Sequence, residues 1–327
     1  MRIVAALGGN ALLRRGEPPE AAVQVAHVRE AVEGLAALAA GNELIITHGN
    51  GPQVGLLAVE SAADPALSAP YPLDVLGAET QGMIGYWLVR ELRRALPDRE
   101  IAALLTETAV DPRDPAFGAP TKFIGRSYGD SEAERMRAEH GWAMRKDGAA
   151  WRRVVPSPEP RDIVELPTIA RLTDAGCLVV AVGGGGVPTG GDHRGIEAVV
   201  DKDLAAALLA TRLGADALLL LTDVPAIMRD HGTPHARPIG HITPGLLRRL
   251  PLPAGSMGPK AEAACRFAEH RPGAVAVVGA LADAPALLSG AAGTRIENRH
   301  PSPRSTASPG PGADGRRQGR ATERRTA

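Results

Sequence analysis

The sequence contains little cysteine, few aromatic side chains and only four lysines. Two cysteines and three residues each of Phe, Trp and Tyr are distributed over 327 residues. Cys177 lies in an apolar run and Cys265 in a helical pattern, and neither has the spacing of a metal-binding pair. The sequence therefore predicts neither a disulfide framework nor a cysteine metal site, and we expect both thiols to be reduced and to lie in the core.

The chain also lacks net charge and long hydrophobic runs. Its 37 basic and 37 acidic residues give a formal net charge of zero, so no global field would hold a polyanion such as nucleic acid. The amino terminus runs from Met1 into a glycine-rich turn without an apolar stretch long enough for a signal peptide or a membrane span. We therefore expect a cytoplasmic protein without a nucleic-acid or membrane partner.

Short apolar runs alternate with helix-length segments of amphipathic spacing. Hydrophobic residues make up 44% of the chain, enough to bury a sizeable core. The alternation predicts an α/β fold with a mainly parallel sheet and helices on both faces. The predicted strands are 3–7, 43–47, 101–105, 178–182, 217–221 and 274–278, and the predicted helices are 21–40, 73–96, 201–213 and 259–270.

Two stretches interrupt this alternation. Residues 111–160 cluster Pro, Gly and charge, and two pieces around Trp142 and Trp151 flank Lys146-Asp147-Gly148, which is typical of a β-hairpin. This stretch is too long for an ordinary connection, so it predicts a small protruding subdomain or lid. Residues 297–327 are rich in Pro, Ser, Gly and Arg and predict a disordered tail, which leaves 1–296 as the folded domain.

Four glycine-bearing turns follow predicted strands or precede a predicted helix. One such turn needs glycine only for its geometry, but several at the carboxyl ends of parallel strands favour a phosphate-rich ligand. Neither the P-loop pattern nor a complete Gly-x-Gly-x-x-Gly pattern occurs, which excludes a P-loop enzyme and disfavours an ordinary dinucleotide binder. The turns are 8–10, 48–51, 183–186 and 255–258.

Three of the four lysines occupy special positions. The lysines are Lys122, Lys146, Lys202 and Lys260. A compact ammonium group suits a moving phosphoryl group, and at Lys202 and Lys260 the start of a helix adds to the attraction for negative charge. Asp201 and Asp203 could orient Lys202, help hold Mg²⁺ or cap the helix. Lys146 lies in the hairpin turn, and we interpret it as a solvent-exposed cation.

These motifs resemble the carbamate kinases over residues 2–296. Together they are far more specific than any single glycine turn. The matching segments are 4–12 (VAALGGNAL), 47–55 (THGNGPQVG), 72–78 (PLDVLGA), 81–86 (QGMIGY), 120–122 (PTK), 152–160 (RRVVPSPEP), 183–186 (GGGG), 197–205 (EAVVDKDLA), 221–224 (LTDV) and 255–260 (GSMGPK).

The resemblance implies a three-layer αβα sandwich of the amino-acid kinase type, with a protruding subdomain over the acceptor site. It further implies a homodimer that uses ATP or ADP with Mg²⁺ and moves a phosphoryl group reversibly between ATP and carbamate. The resemblance implies that the enzyme makes ATP from carbamoyl phosphate after amino-acid or purine breakdown, and we expect the amino acid to be arginine. The sequence departs from the family pattern at Phe123, Arg126 and Pro225, close to the expected lid and nucleotide contacts.

The resemblance also assigns roles to individual residues. Lys122, Lys202 and Lys260 become the catalytic cations that stabilise the transition state. The residues expected to bind carbamate and the transferred phosphoryl group are Gly8, Gly9, Asn10, Gly49, Asn50, Gly51, Gly184 and Gly185. Those expected at the nucleotide are Asp203, Asp223, Met257 and Gly258, and no protein metal cage is expected.

Three other functions remain open from the sequence. A related kinase on the same fold could use N-acetylglutamate, glutamate or a nucleoside monophosphate, although segments 48–53 and 120–122 look like carbamate kinases. A non-catalytic sensor is disfavoured because all three cations are present. A hydride-transferring dinucleotide enzyme is disfavoured by the missing glycine fingerprint.

Overall fold

The computed structural model describes residues 1–14, 16–253 and 257–298, and Asn10 by its backbone alone. The predicted tail therefore lies almost wholly outside the described residues, as does part of the turn at 255–258. The strands are β1 Arg2–Leu7, β2 Glu43–His48, β3 Ile101–Ala103, β4 Glu107–Ala109, β5 Lys122–Tyr128, β6 Met144–Asp147, β7 Ala150–Val155, β8 Asp162–Ile163, β9 Leu178–Val180, β10 Val187–Thr189, β11 Ala217–Thr222, β12 Met228–Arg229, β13 Arg237–Pro238, β14 His241–Ile242, β15 Val275–Ala280 and β16 Thr294–Ile296. The helices are α1 Ala21–Ala39, α2 Gly51–Ala63, α3 Leu73–Ala95, α4 Asp130–His140, α5 Leu166–Asp174, α6 Lys202–Arg212, α7 Pro244–Leu247, α8 Met257–His270 and α9 Ala284–Ser289.

The centre of the molecule is an eight-stranded sheet in the order β14-β16-β15-β11-β1-β2-β9-β3. Its described ladders are parallel except for the β15–β16 pair. Ile3 of β1 pairs with Leu44 on one side and Ala217 on the other, so β1 lies in the middle. All six predicted strands belong to this sheet, and the predicted mainly parallel sheet is confirmed.

Apolar side chains leave the sheet on both faces, as the buried strand pattern requires. In β1, Val4 and Ala6 pack into the core beneath α5, α6 and α8, whereas Ile3, Ala5 and Leu7 pack beneath α1, α3 and α9. Each face thus has its own core and its own layer of helices. This is the predicted three-layer αβα sandwich, and it is confirmed.

The parallel strands β1, β2, β9 and β11 all end at the same edge of the sheet. Glycine turns or helix starts follow directly, including a 3-10 turn at Gly9–Ala11 after β1, α2 after β2 and a second 3-10 turn at Gly183–Gly185 after β9. In open α/β sheets ligands bind in the crevice outside this carboxyl edge. The chain order therefore places the glycine turns where a phosphate-rich ligand would lie.

Residues 111–160 contain a separate antiparallel sheet in the order β5-β7-β6, which we call the subdomain sheet. Asp147 pairs with Ala150 across a tight turn, so the predicted hairpin is confirmed. A small core of Tyr128, Ala133 and Met136, with other apolar side chains, packs α4 against this sheet. The division into a domain at 1–296 and a protruding subdomain at 111–160 stays a prediction.

Across the described ranges, no helix has both the length and the apolar character that a membrane span requires.

Candidate active site

A cleft of about 1540 Å³ opens along the carboxyl edge of the main sheet. Pockets for one small ligand usually measure about 300–1,000 Å³, so this cleft has room for two. Of the predicted site residues, Gly185 does not line this cleft, and the backbone of Asn10 lies in the 3-10 turn after β1. The other predicted site residues all line it, namely Gly8, Gly9, Gly49, Asn50, Gly51, Lys122, Gly184, Lys202, Asp203, Asp223, Met257, Gly258 and Lys260.

The structure brings Lys202 and Lys260 together on one carboxylate. Lys202 Nζ donates to Oδ1 of Asp203, and Lys260 Nζ lies 2.9 Å from Oδ2. The side chains of all three are nearly buried, at 9%, 13% and 6% exposure for Lys202, Lys260 and Asp203. Because α6 and α8 pack side by side, Asp203 and Lys260 meet at the starts of the two helices although they are 57 positions apart in the sequence.

Burial and ion pairing act in opposite directions on these three groups. Burial lowers the pKa of Lys202 to about 8, even though Asp203 favours its charged form. At Lys260 burial also opposes the charge, but Asp203 outweighs it and the pKa is raised. Burial likewise opposes ionisation of Asp203, yet the two ammonium groups hold the pKa of its carboxyl far below the ordinary value.

Asp201 links the subdomain sheet to the start of α6. Its Oδ1 caps the helix by accepting from the amides of Asp203 at 2.9 Å and Leu204 at 3.2 Å. Its Oδ2 accepts from Lys122 Nζ of β5 at 2.5 Å. Burial opposes the charge on Asp201, but Lys122 outweighs it and lowers the pKa of the carboxyl. Three ammonium groups thus meet two carboxylates, which leaves a local excess of positive charge for an anionic ligand.

The turn between β2 and α2 forms another wall of the cleft. Asn50 is buried, and its Nδ2 donates to Thr80 Oγ1 at 2.9 Å. A Cβ on Gly184 would lie 2.2 Å from Asn50 Nδ2, so only glycine allows this approach. His48 Nδ1 lies 3.0 Å from the Gly49 carbonyl, and burial, with Lys202 nearby, lowers the pKa of His48 to about 4. The imidazole is therefore neutral near pH 7.

The turn after β1 lies between the two sides of the cleft. The Gly8 amide donates to the Leu221 carbonyl of β11 at 3.0 Å, and the Gly49 amide donates to the Leu7 carbonyl at 3.1 Å. The backbone of the β1 turn is therefore tied to its neighbours on both sides. A group bound over Gly9 would lie between ligands held by β11 and by β2.

The subdomain sheet packs on the main domain, where Ile124 of β5 shares a small buried core with Val54 of α2 and where two glycines lie in close contact. A Cβ on Gly55 of α2 would lie 2.0 Å from the Gly125 Cα of β5. The sequence did not predict helix α2, because Gly51 was assigned to the glycine turn 48–51 and Pro52 was not taken as a helix start. Proline at the first positions of a helix is a start signal that would have revealed it.

The far end of the cleft, beyond β11, is mostly apolar. Thr222 ends β11 and Asp223 follows it, and Thr222 Oγ1 donates to Asp223 Oδ1 at 3.0 Å. The sequence identified Asp223 and Met257 here, and Val224 as part of segment 221–224, but missed the other apolar side chains, which carry no motif. These are Ala226, Met228, Leu252 and Pro253.

Known proteins share this chain's sequence and fold. The model of the amino acid kinase family matches residues 1–278. A carbamate kinase of Rhizobium meliloti (strain 1021) is 50% identical over 305 residues, which cover 91% of this chain and 94% of that protein. A carbamate kinase from Giardia lamblia bound to citric acid has a TM-score of 0.85 at 37% identity, covering 90% of this chain and 98% of that one. The Giardia lamblia enzyme bound to AMP-PNP has a TM-score of 0.81 at the same identity and coverage.

Proposed function

The chain belongs to the amino acid kinase family and, within it, to the carbamate kinases, and from that premise we propose how its cleft moves a phosphoryl group between ATP and carbamate. The observation that carries the proposal is the convergence of Lys122, Lys202 and Lys260 at the glycine turns. These cations come from three separate elements and face one space. A phosphoryl group in transfer carries charge on several oxygens, and such a constellation stabilises it.

The order of strands suggests where each substrate lies. We place the nucleotide at the apolar end beyond β11, beside Asp223 and Met257. The carbamate kinase of Giardia lamblia binds AMP-PNP, which supports a nucleotide site in this fold. Carbamate then lies beside Asn50 and Gly184, at the ends of β2 and β9. The transferred phosphoryl group lies between them over Gly9, since β1 separates β11 from β2 in the sheet.

The chemistry needs positioning and charge more than a base. Carbamate is already an oxyanion, so no strong base has to deprotonate it before it attacks phosphorus. His48 does not line the cleft, and burial lowers its pKa to about 4, which makes the imidazole a weak base, so it is no candidate for that role. Lys202 and Lys260 stabilise charge from the helix starts, while Lys122 approaches from the subdomain sheet.

We propose that Mg²⁺ arrives with the nucleotide. Among the described residues, no three His, Cys, Asp or Glu side chains lie together as a metal site. The carboxylates of Asp201 and Asp203 already accept from lysines and helix amides. Mg²⁺ commonly binds phosphate oxygens and water with few protein ligands, and it would supply further neutralisation of the phosphates. This donor set fits such an ion.

We further propose that the enzyme is a homodimer that makes ATP from carbamoyl phosphate in arginine breakdown. Two large apolar side chains support an interface, since Tyr86 of α3 and Leu105 after β3 are each 60% exposed. They lie near the open edge of the main sheet, where β3 is the last strand. Sedimentation of Tyr86→Glu and Leu105→Glu variants would reveal monomers if this face pairs two copies.

A cytoplasmic location of the enzyme stays a prediction.

The test is ATP formation from MgADP and carbamoyl phosphate, followed with a coupled assay. Lys202→Ala and Lys260→Ala should each lower kcat by about 10²–10³-fold, the usual effect of losing one preorganised donor. Arg212→Ala is the control, because Arg212 belongs to the same helix as Lys202 but pairs with Asp162 and does not line the cleft. No ATP from the folded wild type would contradict the proposal, and so would equal losses in all three variants.

A further inference from the structure

Val182 adopts a backbone conformation that valine rarely takes. It directly precedes the glycine turn at Gly183–Gly185, is fully buried and has φ 54° and ψ 33°, in the left-handed region. The other described non-glycine residues with positive φ are His193 and Asp230, types that tolerate it better. A β-branched residue stays there only when its surroundings hold it, and such strain is found at functional sites.

Two threonine hydroxyls hold the backbone of Val182 from opposite sides. Thr47 Oγ1 of β2 donates to the Val182 carbonyl at 2.7 Å. The Val182 amide donates to Thr106 Oγ1 at 2.8 Å. Both threonines are fully buried, so water does not compete for these bonds. Both polar groups of the strained residue are therefore fixed by side chains from other segments of the chain.

Two further buried side chains complete the arrangement. Gln81 of α3 accepts from the Thr106 amide and hydroxyl through Oε1 and donates to the Thr106 carbonyl through Nε2, each at 3.0 Å. Thr108 of β4 donates to the Gly185 carbonyl at 2.7 Å. The glycine turn is thus held at its start by Thr47 and Thr106 and at its end by Thr108.

The turn held in this way contacts the groups that line the acceptor end of the cleft. Gly184 lies against the Asn50 side chain, where a Cβ would be 2.2 Å from Nδ2. Gly185 lies close to the Val200 carbonyl, two residues before Lys202, where a Cβ would be 2.6 Å away. A shift of the turn therefore displaces either Asn50 or the segment that leads into α6.

We propose that Thr47, Thr106 and Thr108, with Gln81 behind them, are positioning residues that fix the strained turn and so set the geometry of the acceptor site. The inference rests on the proposed carbamate kinase reaction and on the location of its acceptor. None of these side chains lines the cleft, so they act through Gly184 and Asn50. Their effect should fall on carbamoyl phosphate rather than on the nucleotide.

The test compares Thr106→Val with Thr106→Ser. Valine keeps the side-chain volume and loses the hydroxyl, whereas serine keeps the hydroxyl and loses a methyl group. We expect Thr106→Val to lower kcat/KM for carbamoyl phosphate by about tenfold to 10²-fold, the usual effect of misplacing reacting groups by about 1 Å. The KM for MgADP should change by less than about twofold, and Thr106→Ser should stay close to wild type.

Thr173→Val is the matched control, because this buried threonine donates to the Ile169 carbonyl of its own helix, α5. Thr47→Val covers the case in which Thr106→Val does not fold. In Thr47→Val the Val182 carbonyl still accepts a hydrogen bond from the Gly185 amide at 3.1 Å, so the substitution leaves no buried polar group unpaired. It should lower kcat/KM for carbamoyl phosphate in the same selective way.

Three results would overturn the inference while the wild type makes ATP. They are wild-type kinetics in the valine variants, equal losses for valine and serine at position 106, and an equal rise in KM for both substrates. An inactive wild type would instead contradict the proposed reaction itself, so the two failures are distinguishable.

Discussion

Lys202 and Lys260 reach the cleft from helices of the main domain, whereas Lys122 reaches it from the subdomain sheet. The first two share Asp203 in a nearly dry cluster at the starts of α6 and α8. Lys122 is 29% exposed, and its partner Asp201 belongs to the main domain. The subdomain sheet shares no described ladder with the main sheet, so Lys122 depends on contacts between the two.

This difference shows that two separate sets of contacts position the three lysines of the site. The cluster around Asp203 forms when the core forms, since burying it requires α6 and α8 to pack. The position of Lys122 is set separately by the packing of Ile124 on α2, by the contact of Gly55 with Gly125 and by the ion pair to Asp201. Changes in the cluster should therefore affect stability and activity together, whereas changes at the contact should affect activity more than stability.

The largest effect is expected from Asp203→Asn. It leaves two buried ammonium groups without their shared carboxylate, and removing one partner of a buried ion pair costs about 3–5 kcal/mol. Urea unfolding near pH 7 measures that loss. Activity should fall by at least about 10²-fold, because both cations lose their fixed positions.

Asp201→Asn is the matched variant, two positions earlier. Asparagine caps helices as well as aspartate does, and Lys122 can turn toward water, so we expect a loss of less than about 1 kcal/mol. Equal losses of stability in the two variants would contradict the distinction between the cluster and the subdomain contact.

Gly55→Ala should have the next largest effect, on activity. Its new Cβ meets the Gly125 backbone, 2.0 Å from Cα, so the subdomain sheet must move. Alanine favours the helix by about 1 kcal/mol, and folding should therefore be retained. We expect kcat to fall by about 10–10²-fold.

A double-mutant cycle identifies the cause. If Gly55→Ala acts by displacing Lys122, then Gly55→Ala combined with Lys122→Ala should be no slower than Lys122→Ala alone. Gly129→Ala is the control, since its Cβ would meet nothing within 4 Å and its φ of −72° suits alanine. Independent, additive losses would show that the glycine contact does not position Lys122.

The smallest effect concerns pH. Lys202 stabilises negative charge only while it is protonated, and burial lowers its pKa to about 8. Because kcat/KM reports the free enzyme, it should fall to half its maximum near pH 8 and continue to fall above it. Lys260, whose pKa is raised, adds no decline in this range. A profile that stays flat to about pH 9.5, with the fold retained by circular dichroism, would exclude this role of Lys202.

The sequence predicted the buried strands well, because their short apolar runs are stable only in the core of the protein. The predicted 217–221 and 43–47 match Ala217–Thr222 and Glu43–His48 within a residue. Strands of two residues, such as β12 and β13, carry no periodicity, so only tertiary contacts define them. Helix α2 was missed because its first residues also serve as a glycine turn at the cleft.

The sequence identified the lysines of the candidate site, but it did not show which aspartate each lysine contacts. Turn chemistry and lysine position identified Lys122, Lys202 and Lys260, and the structure places all three at one cleft. The sequence left the roles of Asp201 and Asp203 open among capping, orienting and Mg²⁺ binding. Which aspartate meets which lysine depends on the packing of distant elements, so only the structure shows that Asp201 both caps α6 and binds Lys122.

The two ends of the stretch that carries the subdomain sheet lie side by side. Thr108 of β4, where the chain leaves the core, pairs with Ile163 of β8, where it returns, and the Arg161 amide donates to the Ala109 carbonyl at 2.9 Å. Insertions whose ends are adjacent can be gained, lost or exchanged with little disturbance of the host. We therefore expect the subdomain sheet to behave in evolution as a module, which can change while the main sheet and its glycine turns are kept.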